Sequence, residues 1–253
     1  MRPGLSNKPR LEESVTGVFV GIQAFEFSSL LALLPAGTSV YAGTGVVHAA
    51  ACGRMSFALG MQGPCVSCDT ACSAGLVAVH ATSSALALGE CASGVAVSIN
   101  LMLMPASCVA AAVGGMTSAL GRCHTFDSRA DGYARAEACS ASVLCVRGDE
   151  DQSVQPPPWA EYVASHAARL SGSAVRQDGR SASLTAPNGQ AQQWLLLAAR
   201  ARTGSEASLS CSEAHGTGTA LGDPIETGSY AYRTQQWRRW CHGTVPRGSL
   251  RVT

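Results

Sequence analysis

The stretch CVSCDTACSAGLVAVH (residues 65–80) places three cysteines directly before a long apolar run: Cys65, Cys68 and Cys72. The run from Ser73 to Leu88 is apolar on nearly every helical face and is followed by Gly89, which predicts a helix buried at the centre of its domain. The residues before it predict a turn and a short strand. A strand, a turn and a buried helix in succession indicate an α/β domain.

The composition agrees with an α/β interior. Of the 253 residues, 46% are hydrophobic and only 14% are charged, with 27 glycines, which excludes a disordered chain or a coiled coil. The net charge is +1 and the basic residues are scattered, so no nucleic-acid groove is predicted. Polar residues interrupt every long apolar run, and we expect no membrane span.

The cysteines indicate a reducing compartment. There are 11 of them, an odd number, mostly beside alanine, serine and valine, and this pattern is typical of reduced, buried thiols. The first residues contain no apolar signal core. We therefore predict a cytoplasmic protein, with a plastid location left open.

Strands and helices are predicted to alternate along the chain. Hydrophobic periodicity and glycine boundaries predict helices at 45–60 and 190–202 and a loop at 113–137. Strands are predicted at 17–22, 94–100, 140–146, 160–172 and 209–213. This order favours layers of helices packed on sheets.

Of the three cysteines, Cys72 has the best position for a nucleophile. It lies where the extended segment meets the first turn of the buried helix, and the backbone N–H groups and helix dipole there stabilise a thiolate. Its neighbours are small and leave room for a substrate. A structural buried cysteine is the alternative.

A metal or cluster site is disfavoured. Cys65 and Cys68 have C-x2-C spacing, but no second pair of matching spacing occurs in the chain. A redox pair is disfavoured because no exposed helix begins after Cys68. We therefore predict no metal.

His215 is the histidine best placed to assist Cys72. EAHGTGTALGDPIE (213–226) puts it on a loop of small residues, where an imidazole and threonine hydroxyls can approach a polar ligand arm. His80 lies about 12 Å along the helix from Cys72, too far for a hydrogen bond. His48 is expected to pack in a helix, and three histidines have no supporting context: His124, His166 and His242.

DTACSAGLVAVH and EAHGTGTALGDPIE together resemble the active-site and first-histidine motifs of the β-ketoacyl synthase (ketosynthase) domains of type I modular polyketide synthases. GRCHTFDSRADGYARAE (121–137) and RQDGRSASLTAPNGQAQ (176–192) resemble two further stretches of that family, in the same order. The resemblance covers residues 17–228.

The resemblance implies a thiolase-like layered α/β/α/β/α fold of two related halves, usually in a homodimer. Cys72 would accept an acyl group from the phosphopantetheine arm of an acyl carrier protein. Malonyl on a second carrier would then lose carbon dioxide and attack the Cys72 thioester. This is the 3-oxoacyl-[acyl-carrier-protein] synthase reaction of polyketide and fatty acid biosynthesis. No cofactor would bind directly, and the partners would be the carrier and either a second copy or neighbouring synthase domains.

The resemblance also assigns roles to individual residues. His215 and the backbone N–H of Cys72 would stabilise the developing oxyanion, while Thr217 and Thr219 would line the pantetheine channel. Asp223 and Glu226 are expected to order the histidine loop. Three acidic residues of 121–137 would do the same, with Glu137 the candidate for a cation: Asp127, Asp131 and Glu137.

The resemblance predicts an incomplete domain. We expect an N-terminal segment at 1–16, a partial ketosynthase domain at 17–228 and a divergent tail at 229–253, with the nucleophile half ending near 150 and the histidine half beginning near 160. The chain would start at the family's third strand. The family's second histidine motif would begin at GSLRVT (248–253), with Arg251 at its lysine. The alternative function is therefore a catalytically incomplete fragment or a subunit that only binds carriers or partners.

Overall fold

The computed structural model describes residues 15–23, 26–35, 39–146, 168–203 and 211–233. The described residues form two compact units. The first takes its residues from Met1–Met104 and Ala136–Leu170, and the second from Pro105–Arg135 and Ser171–Thr253. Among the described residues, no helix combines the length and apolar character needed to cross a bilayer.

The first unit contains a four-stranded sheet. Its strands are β1 (Thr16–Ile22), β2 (Cys65–Cys68), β3 (Ser93–Asn100) and β4 (Ala138–Cys145), in the spatial order β2-β1-β3-β4. Strand β1 runs parallel to both of its neighbours, with Val18 opposite Cys65 on one side and Val95 on the other. Strand β4 is antiparallel to β3. Strand β1 is therefore hydrogen-bonded along both edges.

The helices of the first unit are α1 (Glu26–Ala32), α2 (Ala42–Val46), α3 (His48–Leu59) and α4 (Ala74–Ala87). Helices α3 and α4 pack against opposite faces of this sheet. Because side chains alternate along a strand, Phe19 packs with α4 on one face, while Val18 and Val20 pack with Cys52 of α3 on the other. The sheet therefore separates two small apolar cores.

Helix α4 begins in direct contact with β1. A Cβ atom on Gly21 would lie 2.4 Å from both the carbonyl carbon and the carbonyl oxygen of Ala74, the first residue of α4. Likewise, a Cβ on Gly75 would lie 2.6 Å from Oγ of Ser98 on β3. Since these positions have no side chain, the first turn of the helix can lie against the sheet backbone.

The regular elements described in the second unit are helices, and irregular segments join them. It contains α5 (Pro105–Val113), α6 (Gly189–Ala201) and α7 (Gly222–Arg233). The side chain of Asn188 caps α6 by accepting hydrogen bonds from the backbone N–H groups of Gln190 and Ala191. The Ser229 hydroxyl of α7 donates to the carbonyl of Gly189 at 3.0 Å and joins the two helices.

Most of the predicted elements are confirmed. Strands at 17–22, 94–100 and 140–146 correspond to β1, β3 and β4, and the helix at 190–202 corresponds to α6. The helix predicted at 45–60 ends as predicted, since Gly60 has a left-handed φ of 69°, but it is two helices, because Val47 is extended. The short strand and the turn predicted before the buried helix are also confirmed, as β2 and the residues between β2 and α4.

Other predictions were wrong. Residues 168–172 and 211–213 are irregular, and the rest of the two strands predicted there lies outside the described residues. Helix α4 is not buried on all sides, because Leu76 and Leu88 are 77% and 75% exposed. Among the described elements, the sheet covers only one face of α4, the face that packs on β1 and β3. Helix α7 was missed because its glycines and threonine resemble a loop.

We predict that Gly21→Ala lowers the free energy of unfolding by about 1–3 kcal/mol, because the new methyl group must displace the backbone of α4. Urea denaturation measures the change. Gly53→Ala is the matched control, since no described atom lies within 4 Å of a Cβ there and alanine favours the interior of α3. Unchanged stability of Gly21→Ala would contradict the close contact between β1 and α4.

Candidate active site

Cys72 lies in the turn between β2 and α4. The carboxylate of Asp69 accepts a hydrogen bond from the backbone N–H of Ala71 at 2.9 Å. Ala71 has a φ of +56°, a left-handed backbone conformation that residues other than glycine rarely adopt, so the turn is tight. The N–H of Ala74 then donates to the carbonyl of Ala71 at 3.1 Å. These contacts present Cys72 as an exposed residue two positions before the helix begins.

Two hydroxyl groups stabilise the same turn. The oxygens of the Thr70 and Ser73 hydroxyls are 2.8 Å apart, and the Ser73 hydroxyl donates to the carbonyl of Thr70 at 2.9 Å. Ser73 is the N-cap residue of α4, but its side chain accepts no bond from the first turn of the helix. The positive end of the helix dipole therefore faces the Cys72 turn without a side-chain cap.

The other two cysteines of the stretch have different surroundings. Burial raises the pKa of the Cys68 thiol, as does the charge of Asp69, and this thiol donates to the carbonyl of Ala74 at 3.5 Å. Burial also raises the pKa of the Cys65 thiol. Neither environment favours a thiolate. Among the described residues, no group of three histidine, cysteine or acidic side chains could hold a metal ion.

The loop that carries His215 is held by a carboxylate of α7. Glu226 accepts hydrogen bonds from two successive backbone N–H groups, that of His215 at 2.6 Å and that of Gly216 at 2.8 Å. Both oxygens of the carboxylate are used. The backbone position of His215 is therefore fixed by a side chain one turn into the following helix, as the sequence predicted for Glu226.

Asp223 holds the same loop from its other end and is 4% exposed. One of its oxygens accepts from the N–H of Gly218 at 3.0 Å, and the other accepts from the N–H of Phe126 at 2.6 Å. The Thr125 hydroxyl also donates to the carbonyl of Gly216 at 2.7 Å. The ordering role predicted for Asp223 is confirmed, and its second partner is the neighbouring loop at 121–135.

Glycine is required in the histidine loop for steric reasons. Gly216 and Gly218 have φ values of 55° and 69°, in the left-handed region. A Cβ on Gly216 would also lie 2.7 Å from the Thr125 methyl carbon. The two glycines thus allow the loop to turn sharply and to lie directly against the loop at 121–135.

Thr217 and Thr219 lie on this loop with their hydroxyl oxygens 3.1 Å apart. The Thr219 hydroxyl also accepts from the N–H of Gly222 at 3.1 Å, at the start of α7. A local structural role therefore accompanies the predicted role of Thr219 in substrate binding. The two hydroxyls form one polar patch, and they follow His215 by two and four residues in the sequence.

The acidic residues of 121–137 have separate contacts. Asp127 forms a bidentate ion pair with Arg129, with N–O distances of 2.9 and 2.8 Å, and these bonds hold the pKa of Asp127 well below its usual range. Glu137 accepts from the N–H of Met102 at 2.8 Å. Asp131 is exposed. Asp127 also accepts from the backbone N–H of Arg129 at 2.9 Å, so Asp127 and Glu137 both order backbone, but not that of the histidine loop as predicted.

The candidate site residues belong to both units. Cys72 is in the first unit, and the second unit brings His215, Thr217 and Thr219 together on one loop. His48, on α3, and His80, on α4, are both half-buried. No role was predicted for Thr125 or Phe126, because contacts between distant loops leave no local pattern. Three predicted features lie outside the described residues: His166, His242 and Arg251.

Two family profiles match the chain. Residues 3–149 match the β-ketoacyl synthase N-terminal domain, and residues 167–246 match the β-ketoacyl synthase C-terminal domain. The chain is also 42% identical over 218 residues to a phenolphthiocerol/phthiocerol polyketide synthase of Mycobacterium tuberculosis (strain ATCC 25618 / H37Rv). That alignment covers 83% of this chain and 13% of the mycobacterial protein.

Solved structures give a similar result. The ketosynthase from module 6 of the bacillaene synthase of Bacillus subtilis 168 has a TM-score of 0.71 and 29% identity, over 89% of this chain and 37% of the solved one. The oxazolomycin ketosynthase domain of Streptomyces albus JA3453 has a TM-score of 0.72 and 32% identity, over 87% and 36% of the two chains. The chain therefore spans little more than a third of these solved structures and a much smaller part of the mycobacterial polyketide synthase.

We predict that Glu226→Gln loosens the histidine loop, because a side-chain amide has only one acceptor oxygen for two N–H groups. The loss of one charge-assisted bond is worth about 1.5–3 kcal/mol. Hydrogen exchange at His215 and Gly216 should accelerate accordingly. Glu213→Gln, an exposed acidic residue of the same loop, is the control and should leave both rates unchanged.

Proposed function

Because the chain belongs to the β-ketoacyl synthase family, we propose that it transfers an acyl group to Cys72 and then condenses it with a malonyl unit. Its fold class is the thiolase-like α/β class of the solved ketosynthase domains. The observation that carries the proposal is the exposed Cys72 at the uncapped end of α4. The domain proposed for this reaction is the partial ketosynthase domain at 17–228.

Acyl transfer is the first step. The Cys72 thiolate attacks the carbonyl carbon of a thioester on an acyl carrier protein. The new C–S bond forms first and places the negative charge on the carbonyl oxygen. The bond to the carrier's phosphopantetheine sulfur then breaks, and that sulfur leaves as a thiol after protonation. The oxyanion between these events is stabilised by the backbone N–H of Cys72 and by the dipole of α4. The tight turn at Ala71 keeps the sulfur accessible.

Condensation is the second step. Malonyl on a carrier loses carbon dioxide, and the carbanion that remains attacks the carbonyl carbon of the Cys72 thioester. The new carbon–carbon bond releases the Cys72 sulfur. In this step His215 donates a hydrogen bond to the oxygen on which negative charge develops. Glu226 acts as a positioning residue, because it fixes the backbone N–H groups of His215 and Gly216.

The proposed ligand and partners follow from the same reaction. No cofactor is bound directly, since the phosphopantetheine arm belongs to the carrier, and Thr217 and Thr219 offer hydroxyls to that arm. The chain is proposed to form a homodimer or to pack on neighbouring synthase domains. Strands β2 and β4 each have only one neighbouring strand among the described residues, and such edges can pair with another chain.

The proposed compartment is the bacterial cytoplasm. The relative that is 42% identical is a mycobacterial protein, so a plastid location has no support. The ten cysteines of the described residues are free, which agrees with a reducing compartment. The expectation that these thiols are buried was wrong, because only Cys52 and Cys91 of the ten are buried.

Acylation tests the nucleophile directly. The purified chain is exposed to an acyl-carrier thioester or to a cerulenin-type inhibitor, and its intact mass is measured. One adduct is expected, and it should be absent from Cys72→Ala because no other described thiol is exposed in the turn before a helix. Cys139→Ala, which removes an exposed cysteine of β4, is the control and should retain the adduct.

An adduct that persists in Cys72→Ala would contradict the assignment of the nucleophile. If the wild-type chain forms no adduct, the alternative function gains support, and the chain is a catalytically incomplete fragment or a subunit that only binds carriers or partners. Carrier binding measured by titration calorimetry would separate these two cases.

We predict that His215→Gln separates the two steps. Acylation of Cys72 should continue, whereas carbon dioxide release from malonyl-carrier should fall by about 100-fold or more, the usual effect of removing one oxyanion donor. Release is measured with labelled malonyl-carrier. Glu213→Gln is the control, and an unchanged rate in His215→Gln would contradict the proposed role of the imidazole.

A further inference from the structure

A pair of thiols lies where α3 packs on the sheet. Cys52 is 3% exposed and packs in the core with Val18 and Val20 of β1. Cys65 is the first residue of β2 and pairs directly with Val18 in the parallel ladder. The two cysteines therefore approach the same residue, one from the helix layer and one from the adjacent strand.

Ser56 confirms that this face of α3 reaches β2. Residues 52 and 56 are one turn apart on the helix, so their side chains share a face. The Ser56 hydroxyl donates to the Sγ atom of Cys65 at 3.5 Å. The neighbouring Cys52 thiol also raises the pKa of Cys65, as expected for two thiols on adjoining surfaces of α3 and β2.

The two thiols differ in access. Cys65 is an exposed residue, whereas Cys52 is buried behind it. A small oxidant can therefore reach Cys65 first, and the neighbouring thiol in the helix layer is that of Cys52, one turn before Ser56 on α3. This is the arrangement of a reacting cysteine with a resolving cysteine.

We propose that Cys52 and Cys65 are a redox modification site that forms a reversible disulfide when the oxidant is a hydroperoxide. The Cys65 thiolate attacks one peroxide oxygen, the O–O bond breaks, and a sulfenic acid and one water or alcohol result. The Cys52 sulfur then attacks the Cys65 sulfur, the S–S bond forms, the S–O bond breaks, and the Cys52 proton leaves with the oxygen as water. Two thiols lose two electrons and the peroxide gains them.

The local environment sets the rate of this reaction. Burial and the neighbouring Cys52 thiol raise the pKa of Cys65, while the Ser56 hydroxyl opposes this effect. At neutral pH the thiol is therefore mostly protonated and oxidation is slow. The rate should increase as the pH rises toward the pKa of the thiol, since the thiolate is the attacking species.

The disulfide would join α3 covalently to the strand that leads into the Cys72 turn. It would close a short loop between residues 52 and 65, and closing such a loop stabilises a fold mainly by restricting the unfolded chain. The proposed nucleophile itself is not consumed, because Cys72 lies in the turn beyond the other end of β2. Oxidation of this pair is thus separable from loss of the active-site thiol.

The test uses the full chain treated with hydrogen peroxide at several pH values. Intact mass should fall by about 2 Da when one disulfide forms, whereas each added oxygen raises it by about 16 Da. Trypsin cleaves after Arg54 and Arg122, so Cys52 is the only cysteine of peptide 11–54. We expect this peptide to be linked to peptide 55–122, and a reducing agent should release it.

Variants assign the second sulfur. Cys65→Ser should abolish the link, whereas the matched variant Cys68→Ser should keep it, because the Cys68 thiol donates to the carbonyl of Ala74 instead. Cys65→Ser alters an exposed position and does not disturb the core. The thermal midpoint of the wild-type chain should rise by roughly 5–10 °C on oxidation, and that of Cys65→Ser should not.

Three results would overturn the proposal. The first is a link from peptide 11–54 that persists in Cys65→Ser, which would assign another partner to Cys52. The second is oxidation of the chain with gain of oxygen and no disulfide. The third is a peptide 11–54 that stays unlinked although peroxide has already oxidised every thiol that reacts in the native chain.

Discussion

The approach of α4 to β1 is the contact on which the first unit depends. It exists because Gly21 has no Cβ, so that the backbone of Ala74 can lie where a methyl group would otherwise be. This contact fixes the start of the helix, and the turn at Ala71 and Cys72 is then constrained between that start and the end of β2. The exposed position of the proposed nucleophile therefore follows from a packing requirement, since Cys72 lies in the short connection between strand and helix.

The histidine loop is fixed by a different physical means. It is irregular and rich in glycine, so it has no packing core of its own, and carboxylates supply the order that packing supplies in the first unit. Asp223 and Glu226 each accept hydrogen bonds from two backbone N–H groups, and all four N–H groups belong to irregular loops. The steric demand at Gly216 and the hydrogen bond from Thr125 then determine which face of the loop meets its neighbour. The same carboxylates that lie in the first turns of α7 thus position the imidazole proposed to act in condensation.

Local patterns in the sequence were sufficient for the strand–turn–helix unit around Cys72. The apolar run after Ser73, the glycine at 89 and the β-branched segment at 17–22 are strong signals, because each depends on neighbours within one element. The motif around His215 was equally clear, and Asp223 and Glu226 were correctly expected to order it. By contrast, α7 was missed because its first turn has a loop-like composition, and the extended break at Val47 was missed because the apolar pattern continues through it.

The sequence by itself determined the family, the two motifs that contain Cys72 and His215, and most of the elements that carry them, because these depend on residues adjacent in the chain. Only the tertiary structure decided which residues hold those motifs in place. Phe126 and Asp223 meet across almost a hundred residues, and Ser56 of α3 meets Cys65 because β2 pairs with β1 beneath that helix. Such contacts are set by the pairing of strands and the packing of helices, which bring together side chains whose separation along the chain contains no sign of their proximity.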